Sequence, residues 1–182
     1  MQRPTPPGYT SRLPGTSPQV LDTPERVLEF CKVNGLLGEL GSADIERIIE
    51  EDKNLRLIFE DLGEKDAYIM HKSDADYIIG INIKHPKSRQ KFSMAHEYAH
   101  YQLHRNNISN LPAGEKILHR DGRSEPIEWQ ANRFAAQILM PESAVKAALK
   151  ESNENLTNAA SRLGVSVSAL SFRIDELQAD KR

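Results

Sequence analysis

The sequence predicts an α+β fold, a small sheet packed on helices, and three observations carry that prediction. Short runs rich in β-branched and aromatic residues, "LRLIFE", "AYIMH" and "YIIGINIK", are confined to residues 55–84. Apolar residues at helical spacing dominate before and after them. Turn-forming "DLGEKD" and "KSDAD" separate the runs, which predicts a three-stranded meander or a slightly larger sheet. The chain has 182 residues, enough for one ordinary domain with a small appendage and a proper core.

Residues 1–20 hold all of the N-terminal proline-rich stretch and read as a disordered or extended tail. A first helix is expected over "DTPERVLEFCKVNG", capped by Asp22 or Thr23, with Pro24 in its first turn and Asn34-Gly35 at its end. Ser42 is expected to cap a second, with Ile45, Ile48 and Ile49 on its buried face. After the strands, His85-Pro86 closes the sheet region and Ser88 is expected to cap a long helix running to about His104. A polar stretch follows, "RNNISNLPAGEKILHRDGRS", with at most a short strand at "KILH". A helix starting at Ser124 and ending before Pro141 comes next, then "PESAVKAALK", then two helices joined at Gly164. Residues 21–150 are read as the main domain, and 151–182 as a helical extension packed on it.

The long helix carries the chemistry. "FSMAHEYAHYQLHRNN" places His96, His100 and His104 at four-residue intervals, with Glu97 directly after the first. Residues i and i+4 share a helix face, so His96 and His100 can present two imidazoles to one ion. This is the H-E-x-x-H arrangement, two zinc ligands with a general base beside them. His104 lies eight residues from His96, about 12 Å along the axis at a rise of about 1.5 Å. Two ligands of one tetrahedral zinc cannot be that far apart, so His104 is expected to be a helix-end residue. A third ligand must come from elsewhere. "SEPIEWQANRFAAQILMP" offers Glu125 and Glu128. Glu128 is favoured because Asn132 lies one turn on along the same face, where it can support a ligand imidazole. Glu125 is sufficiently explained as an acid at a helix start.

"KFSMAHEYAHYQLH" and "EWQANRFAAQILMP" resemble the ImmA/IrrE family of zinc metallopeptidases. Its pattern is an F-x-x-A-H-E-x-x-H-x-x-L-H helix followed by an E-x-x-A-N-x-F-A-A-x-x-L-M-P helix. "IIGINIKHPKSRQKF" is also similar, and the likeness spans about residues 45–175. It implies a zincin-like fold, Zn2+ on His96, His100 and Glu128, Glu97 as general base and Asn132 behind a ligand. Ala99, where the family often has Gly, and Gln130, where a second Glu is frequent, depart from the pattern without removing a ligand. An oxyanion donor would also be needed. His119 and Tyr101 are the candidates. "YIIGINIK", if it formed the sheet edge above the cleft, would let a substrate bind as an added strand. The resemblance further implies a protein substrate, a helix-turn-helix repressor of a phage, mobile-element or stress operon.

Composition bounds the alternatives. Charged residues make up 27% and the net charge is −2, which argues against non-specific nucleic-acid binding. Cys31 is the lone cysteine, so no Cys-based zinc cluster is expected. Neither an apolar leader nor a membrane-length apolar run is visible, and a cytoplasmic setting is expected. "AASRLGVSVSALSFRIDEL" has helix-turn-helix form. From residue 151 onward four basic residues (Arg162, Arg173, Lys181, Arg182) face five acidic ones, so direct DNA binding is not expected. A non-catalytic zinc-binding recognition module and a DNA-binding regulator are the competing readings. An intact Glu97 disfavours the first, because a pure binder gains nothing from a base beside the metal.

Overall fold

A computed structural model of the chain describes residues 20–73, 75–117 and 125–180. The N-terminal tail, the Ser124 cap and His119 therefore lie outside the described residues.

The first helix, α1 (Pro24–Asn34), follows its sequence signals closely. The Thr23 side chain accepts from the Arg26 N–H, Pro24 opens the helix, and Gly35 ends it at φ 67. That left-handed conformation is one that glycine adopts without a Cβ penalty. In α2 (Ile45–Glu51) the cap is Asp44, which accepts from Arg47 N–H, and not Ser42 as the sequence suggested. Ser42 instead sits in a tight loop closed by the bridge between Leu37 and Ala43. Ile45, Ile48 and Ile49 are buried as expected.

Strands β1 (Leu55–Glu60), β2 (Ala67–Ser73), β3 (Asp76–Asn82) and the short β4 (Lys116–Ile117) form one sheet in the order β1-β3-β2-β4. The expected meander is thus corrected. β3 lies between β1 and β2, parallel to the first and antiparallel to the second. Its near-continuous apolar run fits a strand covered on both faces, where an edge strand would alternate. β3 is not an edge, so strand addition there is ruled out; among the described residues the sheet's edges are β1 and β4. On one face Ile69, Tyr77, Ile79 and Ile81 are buried together with Met94, Ala95, Tyr98 and Tyr101 of the next helix. On the other, Gly80 leaves room for the Tyr68 ring, which lies where a Cβ would come within 2.1 Å. The Tyr68 hydroxyl donates to Glu60 at 2.6 Å.

Helix α3 (Lys87–Leu103) starts after Pro86 with no side-chain cap, one residue before the Ser88 that the sequence suggested would cap it. Its start is fixed instead by Gln90, whose amide donates to the carbonyls of Asn82, Ile83 and His85. The Asn82 amide in turn donates to Gly63 and Lys65. These bonds tie the end of β3 to the first turn of α3 and so set the axial position of every residue after it.

The remaining helices are α4 (Arg105–Ser109), α5 (Glu125–Leu139), α6 (Glu142–Glu151), α7 (Leu156–Leu163) and α8 (Val167–Ala179). α5 packs on α3 and buries Ala131, Phe134, Ala135 and Ile138 in the common core. α7 and α8 meet at Gly164 and contact α6, and α8 also reaches α5. Arg173, 5% exposed, donates from Nε to the Met140 carbonyl at 3.0 Å and from Nη1 to Glu176 at 3.1 Å. Lys91 of α3 donates to the Leu163 carbonyl at the end of α7. No helix among the described residues is long and apolar enough to cross a membrane.

Candidate metal centre

Two helices build the site. α3 supplies His96 and His100 one turn apart, and α5 supplies Glu128 and Asn132 one turn apart. The packing of α3 on α5 brings the pairs together. Nε2 of His96 lies 3.0 Å from Nε2 of His100. Glu128 places Oε2 at 3.2 Å from His96 Nε2 and Oε1 at 3.4 Å from His100 Nε2. Asn132 Oδ1 is 2.9 Å from His96 Nδ1. An amide oxygen only accepts, so Nδ1 of His96 carries a proton, and in the neutral ring it is the Nε2 lone pair that faces the cluster.

These three side chains fit a metal ion. One donor atom from each lies within 4.8 Å of the other two. Ligands of a tetrahedral ion bonded at about 2.1 Å are about 3.4 Å apart, close to the separations seen. The charge balance agrees. Burial alone would lower the His96 pKa, but the Glu128 hydrogen bond and the Glu97 charge outweigh it, and the net shift is upward. The cluster favours positive charge. Glu97, 2% exposed, has its carboxyl pushed up to about 8 by burial, opposed by His96 and assisted by Glu128.

Residues 50–175 match the model of the IrrE N-terminal-like domain, a peptidase family. The chain belongs to that family. It is also 26% identical over 119 residues to "Metallopeptidase ImmA" of Bacillus subtilis (strain 168), an alignment covering 65% of this chain. The chain spans 66% of that relative's length.

Within this IrrE-like chain the other residues singled out in the sequence fall differently. Tyr101 is fully buried, its ring edge-on to Tyr77 at 5.1 Å and its face covered by the Arg105 guanidinium. Burial and the neighbouring Asp52 carboxylate push its phenol up. These contacts place Tyr101 in the core on the α2 side, which gives it a packing role. His119 lies outside the described residues, and so does the side chain of Glu125. His104 is the residue that ends α3, and is not among the three converging donors. Gln130, noted in the sequence only as a departure from the family pattern, lies against His104. The helix period that paired His96 with His100 also pairs His100 with His104; nothing local in the sequence pointed to Gln130.

Proposed function

We propose that the chain is a zinc-dependent endopeptidase that cleaves or inactivates one partner protein, a helix-turn-helix repressor of a phage, mobile-element or stress operon. The observation that carries this reading is the convergence of His96, His100 and Glu128 beside a buried carboxylate that is not one of the three. Two imidazoles and a carboxylate suit a borderline-soft ion and disfavour magnesium or calcium. When bound, zinc supplies a Lewis acid that polarises a peptide carbonyl and acidifies water.

The chain's own residues do the rest. Asn132 keeps the proton of neutral His96 on Nδ1, so that the Nε2 lone pair faces the cluster. Glu97 takes the proton of the attacking water and delivers it to the leaving amine. Burial raises its carboxyl in the metal-free chain, and a cation held by the three donors would draw it back down, towards the range of a base that works near neutral pH. A site-specific action on protein also agrees with the C-terminal helices. Arg173, a residue that a DNA reader would present to solvent, is buried and bonded within the chain.

The test is incubation of the purified chain with candidate repressors, with product peptides read by mass spectrometry. One or a few cuts in a single repressor are expected, abolished by a chelator and restored by added zinc. A general substrate such as casein should be cut weakly. Loss of repressor function with no cut in its chain would support the recognition-module reading instead.

A further inference from the structure

The metal-site reading accounts for two histidines of α3 and leaves His104 without a task. The helix ends at Leu103, and His104 takes φ −122 and ψ 21 while its N–H still bonds the His100 carbonyl at 2.8 Å. Its ring lies beside that of His100, centroids 5.1 Å apart, with the two Nδ1 atoms separated by 3.0 Å. On its far side, Nε2 is 3.1 Å from Gln130 Oε1.

The protons along this row can be assigned from one end. Gln130 Oε1 can only accept, so Nε2 of His104 carries a proton. In the neutral form of His104 the Nδ1 is then bare and accepts from Nδ1–H of His100. His100 is thereby held in the tautomer whose lone pair is on Nε2, the atom that faces His96 and Glu128. We propose that His104 and Gln130 are positioning residues that fix the tautomer and ring orientation of His100 for metal binding. They do on His100 what Asn132 does on His96. The relay spans both ligand helices, since Gln130 belongs to α5, so it also keeps their separation suited to one ion. This inference rests on the metal-site reading above.

Zinc and cobalt affinities of the full chain, measured by chelator competition together with the cobalt absorption spectrum, test it. His104→Ala should still take up one metal per chain, but about 10- to 100-fold more weakly and with shifted cobalt bands, as expected for loss of a partner behind a ligand. His104→Asn, which returns an amide oxygen near the position of Nδ1, should recover most of the affinity. Gln130→Leu should weaken binding by a smaller factor and add nothing in a His104→Ala background, because it acts through His104. Unfolding of the metal-free variants should match that of the parent chain. Equal affinity and an unchanged cobalt spectrum in His104→Ala would overturn the proposal, as would His104→Asn behaving like His104→Ala. Complete loss of metal from His104→Ala would make it a ligand and also overturn it. If the parent chain takes up neither zinc nor cobalt, it is the metal site itself that is refuted, and the parent sample alone reveals this.

Discussion

The α3–α5 pair and the contact of α8 with the end of α5 both bury polar side chains between helices, yet they treat them in opposite ways. Where α8 meets the end of α5 the buried group is Arg173, which donates to the Met140 carbonyl and, within α8, to Glu176. Donor meets acceptor, and the chain closes on itself. In α3–α5 the groups that meet are His96 Nε2, His100 Nε2 and the Glu128 carboxylate. There, three groups able to act as metal donors converge on one point, an arrangement that a proton or a cation must hold together. The helix-turn-helix outline of α7–α8 suggests a nucleic-acid reader, but Arg173 of α8 is turned inward and bonded to Met140 and Glu176. Outline alone says little about function; the direction in which buried donors and acceptors point says more.

The largest effects should come from removing a converging donor. Metal analysis of the parent chain should give about one zinc per chain, and His96→Ala or Glu128→Ala should lose most of it, since a two-ligand remnant holds zinc poorly. Full zinc occupancy in Glu128→Ala would break the comparison on the α3–α5 side.

On the other side, Arg173→Leu leaves the Met140 carbonyl without its buried donor and Glu176 with Arg133 alone among the described residues, 3.7 Å away. A loss of about 2–4 kcal/mol in thermal or denaturant unfolding is expected, with metal content per folded chain unchanged. Unchanged stability together with lost repressor binding would instead make α7–α8 a docking surface. Gly80→Ala is a smaller perturbation away from both pairs. Its methyl meets the Tyr68 ring at 2.1 Å, and displacement of that ring should cost about 1–3 kcal/mol without changing zinc content.

What the sequence made legible follows the range of the interactions involved. α1 was readable to within one residue, its cap left between Asp22 and Thr23, because Thr23, Pro24 and Gly35 act within one turn of its ends. The pairing of His96 with His100 was readable for the same reason. The strand order was not, because pairing of β1 with β3 depends on contacts across the fold. Even so, the apolar run "YIIGI" was an unread sign of a central strand. Asp44 displaced Ser42 as a cap because the Leu37–Ala43 bridge holds Ser42 two residues short of the helix. Asn132 could be placed behind a ligand from its spacing to Glu128, whereas the contact of Gln130 with His104 needed the actual crossing of α3 and α5.

The central claim is that a metal held by α3 and α5 serves cleavage through Glu97, and Glu97→Gln tests it most directly. That change keeps size and hydrogen bonding but removes the base. Zinc content and repressor cleavage should be measured on the same sample. Zinc should stay near one per chain while cleavage falls by about 100-fold or more. Cleavage at the parent rate with zinc retained would contradict the account.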